Sequence, residues 1–127
     1  MIKQLSLVAL GGGVGSVLRY LTSLWFMKSF SYAFPLGTFA VNIIGSFIIG
    51  ILVSLSACYG ILNNELRFLL IIGFCGGYTT FSTFSLESIK LFEAGNYWTL
   101  VLYISASVVV GLFAVWGGYS LAKIIAQ

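Results

Sequence analysis

Apolar positions run almost unbroken along this chain, and the polar ones that interrupt them fall at four-residue intervals or in short clusters. Runs of roughly 20 apolar residues match the thickness of a hydrocarbon core. The pattern therefore predicts four membrane helices, at about 4–27, 35–59, 66–91 and 97–124, joined by short loops in a single domain spanning 1–127. Met1 to Phe26 has a basic residue followed by an apolar run, as a cleavable signal would. The run is too long for that, and Arg19 and Tyr20 stand where a small-residue cleavage site belongs, so it is read as the first membrane helix.

Within these helices the small and polar residues form rows. In the first, Gly11–Gly15 and Gly12–Ser16 repeat a small residue every fourth position, the spacing that lets two helix backbones approach closely in a membrane. Arg19 continues the Gly11–Gly15 row. A buried arginine needs a partner or water, and two readings stay open: snorkelling to the loop beside Lys28, or a positive lining for a vestibule reached by anions. In the second helix, which Pro35 opens, Thr38, Asn42, Ser46 and Gly50 form one narrow stripe. The Asn42 amide must find a partner on another helix or face a water-filled cavity, as interhelical glue or as a pore-lining donor.

The third helix departs most from the apolar pattern. Gly73-Phe74-Cys75-Gly76-Gly77-Tyr78-Thr79-Thr80-Phe81-Ser82-Thr83-Phe84-Ser85 carries glycines, hydroxyls and two phenylalanines three residues apart. Glycine lowers helix stability by about 1 kcal/mol relative to alanine, and β-branched threonine is also unfavourable. A break near 74–80 is predicted, with helix resuming at about Thr80. Irregular backbone at membrane depth is tolerated only where protein or water covers it, and such breaks present carbonyls to cations and helix N-termini to anions. Phenylalanines at helical spacing are ordinarily core. Here they alternate with hydroxyls, and the positive edge of a ring can line an anion path without trapping the ion. Glu87 is read as a solvated end near Lys90. In the fourth helix Tyr103, Ser107 and Gly111 form a row serving close packing or extending a polar track, and Tyr97 and Trp98 anchor the interface.

Composition narrows the class. The 127 residues are 60% hydrophobic and 7% charged, against about a quarter charged in soluble domains. Such a chain cannot cover itself with polar surface, so the lipid bilayer is its solvent. The net charge of +3 comes without a basic run, which excludes nucleic acid as a partner. The absence of histidine removes the commonest metal ligand, and no acid cluster suggests hydrolysis, so an enzyme is not expected. Cys58 and Cys75 are read as inert thiols. Lysine and arginine divide almost evenly, with Lys3, Arg67 and Lys123 on one side and Lys28 and Lys90 on the other. The bias that normally orients a membrane protein is nearly missing, which predicts insertion in both orientations and an antiparallel pairing with itself. A small drug-exporting antiporter is the main rival. Proton-coupled exchange needs a buried carboxylate, and only Glu87 is available.

Three stretches, Gly11 to Tyr20, Gly37 to Phe47 and Gly73 to Phe84, together resemble the CrcB/Fluc fluoride channel family. The resemblance covers the whole chain. It implies an all-α membrane protein of four transmembrane helices, the third broken in mid-membrane, assembled as an antiparallel dual-topology homodimer in a prokaryotic cell (inner) membrane. It further implies two pores that export fluoride passively and lower its toxicity. By that resemblance Asn42, Phe81 and Phe84 line each pore, Thr80, Thr83 and Ser85 add hydroxyl donors, and Tyr103 and Ser107 belong to a polar track. The chain departs from that track at Gly111 and Val115. By the same resemblance a structural sodium ion at the dimer interface falls to the backbone carbonyls of Gly76 and Thr79.

Overall fold

A computed structural model describes all residues, 1–127. Four helical stretches are long and apolar enough to cross a membrane: Ile2–Ser29, Leu36–Tyr59, Asn64–Glu93 and Tyr97–Ile125. Large apolar side chains are exposed over the whole outside of the bundle. Water would not tolerate such a continuous apolar exterior, and a hydrocarbon solvent favours it. The protein is a multi-pass membrane protein.

Helix α1 is Ile2–Ser29, and α2 is Leu36–Tyr59. Helix α2 ends at Gly60, whose φ of 59° admits the left-handed cap; Gly60 N–H then reaches Ser56 O at 3.2 Å and Ile61 N–H reaches Leu55 O at 3.2 Å. The third span is composite. Asn63 caps its start by accepting from Leu66 N–H at 2.9 Å, so helix begins at Asn64, two residues before the position that the sequence pattern suggests. A short α3 (Asn64–Leu66) runs into a π-helical stretch, Arg67–Cys75, then α4 (Gly76–Tyr78). After two extended residues α5 (Phe81–Glu93) follows, and α6 is Tyr97–Ile125.

The expected break over 74–80 narrows to Thr79 (φ −86°, ψ 158°) and Thr80 (φ −149°, ψ 120°). Residues 74–78 stay helical, and Gly77 among them serves close approach. A Cβ there would strike the backbone of Gly12. The same device recurs through the bundle. A Cβ on Gly11 would meet Leu69 O and Phe74 N, two groups five residues apart, the separation that a π-helical hydrogen bond joins. A Cβ on Gly15 would meet Phe74 O and Tyr78 N. Helices α2 and α6, the most extensive pairing in the chain, interlock through Gly50 over Val115 and Tyr119 and through Gly118 over Phe47 and Ile51. Backbones this close gain dispersion and Cα–H···O contacts that lipid cannot offer.

Candidate functional site

The extended pair Thr79–Thr80 determines the site. An extended residue turns its own N–H and C=O to the same side, a geometry no helical residue has. Asn42, on the α2 stripe, meets both groups of Thr80: its Oδ1 accepts from Thr80 N–H at 2.8 Å and its Nδ2 donates to Thr80 O at 3.1 Å. Asn42 is thus first of all a clamp on the interruption. Thr80 also caps α5. Its Oγ1 accepts from Thr83 N–H at 3.2 Å and donates to Thr83 Oγ1 at 3.1 Å. The Thr80 hydroxyl proton is therefore committed within the chain.

On the other side of the interruption, Arg19 Nε donates to Gly77 O at 3.0 Å. Neither sequence reading of Arg19 describes this arrangement. The guanidinium sits at the carbonyl end of the helical stretch 64–78, where a cation is favourable. Tyr78, 6% exposed, stacks on Phe74 with ring centroids 5.7 Å apart, and its hydroxyl lies 3.1 Å from Thr22 Oγ1.

A cavity of about 550 Å³ opens beside the extended pair. Its walls include Asn42, Ser46, Cys75, Gly76, Thr79, Thr80, Phe81, Phe84 and Ser107. Seven residues singled out from sequence (Asn42, Gly76, Thr79, Thr80, Phe81, Phe84 and Ser107) therefore share one chamber. Four others lie outside it. Thr83 is occupied with the α5 cap, and Ser85 is half-buried without a hydrogen bond. Arg19 lies at Gly77, and Tyr103 is buried behind Phe84 with ring centroids 5.0 Å apart. The aromatic row runs from Phe81 to Phe84 at 5.8 Å, through Tyr103, to Phe34 at 5.3 Å. The Tyr103 hydroxyl and Ser107 Oγ are buried without a hydrogen-bond partner. Buried hydroxyls of this kind have unused donor and acceptor capacity.

Glu87 lies near Lys90, as expected, and is only partly solvated. It is half-buried and accepts from Thr38 Oγ1, lining a second cavity of about 320 Å³ with Thr38, Phe34 and Lys90. Thr38 and Ser46 are legible in the α2 stripe, though the sequence singles out only Asn42 from it as a site residue. Cys75, buried beside the first cavity, carries no sequence signal of that position.

The interruption also leaves backbone oxygens without their helical partners. Thr80 N–H, which a continuous helix would direct to Gly76 O, goes to Asn42 instead. Thr79 O accepts no hydrogen bond within the chain. Two carbonyls without their helical partners, both at the wall of one cavity, are the donor chemistry sodium prefers.

Fold and site define a polytopic membrane protein with a largely apolar cavity, into whose walls Asn42, two threonines and two phenylalanines are set, at an interrupted helix. Residues 6–119 match the family described as CrcB-like protein, Camphor Resistance (CrcB), and the chain belongs to that family. It is 50% identical over 123 residues, 97% of this chain and 98% of the other, to the fluoride-specific ion channel FluC of Azobacteroides pseudotrichonymphae. It is 48% identical over 94% of its length to 96% of the protein of that name in Agrobacterium fabrum. The protein of that name in Phocaeicola vulgatus is 49% identical over 90% of this chain and 93% of its own. These relatives are named as channels, a non-enzymatic function.

Proposed function

We propose that this chain forms a fluoride-selective channel through which cytoplasmic fluoride leaves a prokaryotic cell passively across its inner membrane. The observation that carries the reading is the one cavity whose walls bring together Asn42, Phe81, Phe84 and Ser107. Fluoride is small and strongly hydrated, so a path for it must replace water with many neutral donors and release it again. An amide N–H, hydroxyls and positive ring edges do this without a fixed charge. The channels named among its relatives support the choice of anion.

The working unit in this proposal is an antiparallel dual-topology dimer with two pores. Phe81 is 81% exposed in the single chain, and a second copy would enclose its ring and close the cavity. The evenly divided lysines and arginines permit both insertions. Sodium would be held by the carbonyls of Gly76 and Thr79 from both copies, and its charge would neutralise converging carbonyl dipoles at the contact. Tyr103 and Ser107 would carry the ion beyond the phenylalanines, Arg19 would contribute positive potential from its place at Gly77, and Thr83 and Ser85 would complete the donor set.

Reconstitution in liposomes, with a fluoride electrode, tests this reading. Rapid efflux that needs only a counter-ion shunt is expected, and chloride should not follow. Efflux that required a proton gradient would point to an antiporter, and absence of efflux would overturn the proposal.

A further inference from the structure

The channel reading treats Asn42 as a donor, yet a carboxamide has a donor end and an acceptor end of nearly equal size, and either could face a cavity. We infer that the backbone of Thr80 is the specificity-determining element that fixes the donor end there. The inference rests on the channel reading for its anion and on the Asn42–Thr80 geometry for everything else.

Thr80 N–H can only donate, so it must meet Oδ1; Thr80 C=O can only accept, so it must meet Nδ2. Turning the amide over would set N–H against N–H at 2.8 Å and oxygen against oxygen at 3.1 Å, breaking two hydrogen bonds and creating two repulsions. The ring of two bonds consumes one acceptor and one Nδ2 proton. The second Nδ2 proton, on the far side of the nitrogen from Oδ1, stays outside the ring, and Asn42 lines the cavity together with Thr80. The extended conformation of Thr80 (φ −149°, ψ 120°) is what makes both of its backbone groups available on one side. The interruption of the third span thus does more than free carbonyls. It fixes which end of a side chain on another helix keeps an uncommitted N–H to offer an anion at the cavity wall.

The test uses the full-length dimer in detergent with Asn42 isotopically labelled at Nδ2. One Nδ2 proton should exchange with water at least about tenfold more slowly than its partner, being held by Thr80 O. Titration with sodium fluoride should move the resonance of the fast proton and leave the slow one in place, while sodium chloride moves neither. Equal exchange of the two protons, or fluoride acting on both alike, overturns the inference. An ester in place of the Thr80–Phe81 amide provides a second arm, because it weakens Thr80 O as an acceptor without altering the Thr79 carbonyl. The slow proton should then exchange severalfold faster, and fluoride flux should fall about tenfold. Unchanged exchange in that variant also counts against the lock, and if the ester protein does not assemble, the wild-type exchange rates decide alone. A wild-type protein with the asymmetric amide but no fluoride flux would sink the channel reading and leave the lock standing as geometry.

Discussion

The two halves of the third span are built on opposite principles. Residues 64–78 are pressed onto α1, backbone against backbone, with Gly11, Gly15 and Gly77 leaving no room for a methyl group. Helix α5 packs mainly on α6, touches α2 lightly, and presents Phe81 with 81% of its surface uncovered. The first half is a fixed platform and the second half presents a face. Between them the two extended threonines are gripped from both sides, by Arg19 at Gly77 and by Asn42 at Thr80. A membrane protein gains little from burying leucine against leucine, since lipid is equally apolar. Close glycine contacts and specific hydrogen bonds must hold the platform, and the presented face is free to take on another role.

Breaking the platform should have the largest effect. A valine at Gly77 would put its Cβ into the Gly12 backbone, 2.9 Å from Cα, and neither helix can yield without moving the other. Gly77→Val should cost about 3 kcal/mol or more, with no folded peak in detergent by size-exclusion and thermal unfolding. Gly117→Ala, at a position with nothing within 4 Å of the added Cβ, should be neutral or gain up to about 1 kcal/mol from helix propensity. A Gly77→Val protein with the wild-type unfolding temperature would remove the distinction between the two halves.

Cutting the clamp should come next. In Asn42→Asp the carboxylate can still accept from Thr80 N–H, but it confronts Thr80 O with no donor and puts charge into the cavity. The expected cost is about 2 kcal/mol of stability, and fluoride flux should drop about 100-fold, the kinetic counterpart of about 2.7 kcal/mol. Flux within twofold of wild type would mean that Asn42 neither clamps nor donates.

The same residues separate what a sequence can carry from what only packing decides. The four spans are written in the apolar runs, because a bilayer imposes its thickness on sequence more strictly than a soluble core does. The α1 glycine rows and the α2 stripe are visible as four-residue periods, and both do face neighbouring backbone or the cavity. The π-helical stretch Arg67–Cys75 leaves no trace in the sequence, and the contact that accompanies it, Gly11 against Leu69 and Phe74, joins it to another helix. The glycine pair Gly76–Gly77 misleads. Local propensity marks glycine as a breaker, and the packing of Gly77 on Gly12 uses it to hold helix together. The partner of Arg19, a backbone carbonyl 58 residues away, has no sequence signature because every residue has a carbonyl.

Loosening the other grip should cost less than losing Asn42. Arg19→Gln removes the charge at Gly77 O and leaves the Thr80 clamp intact. A loss of about 1–2 kcal/mol is expected, in the range of one hydrogen bond from a charged group. Arg19→Lys should recover only part of it, because an ammonium on a flexible stem does not reproduce the fixed Nε–H direction. Thermal unfolding of the three proteins in one detergent checks this ranking. Equal stability of the lysine and glutamine variants would show that charge at this end of the stretch is immaterial.

The smallest effect on folding belongs to the presented face, and there stability and flux should separate. Phe81→Ile removes a ring that is mostly uncovered in the single chain, so the folded chain should change by less than about 0.5 kcal/mol. Phe84→Ile removes a ring packed 5.0 Å from buried Tyr103, and should cost about 1 kcal/mol for the lost aromatic pair. Both should reduce fluoride flux by about tenfold, because isoleucine has no electropositive edge to offer an anion. Unfolding curves and electrode traces on the same preparations separate the alternatives. If Phe81→Ile destabilised the chain as much as Phe84→Ile, the ring would be part of the core and α5 would present no free face. Were flux unchanged in both, the face would exist but would not touch the ion.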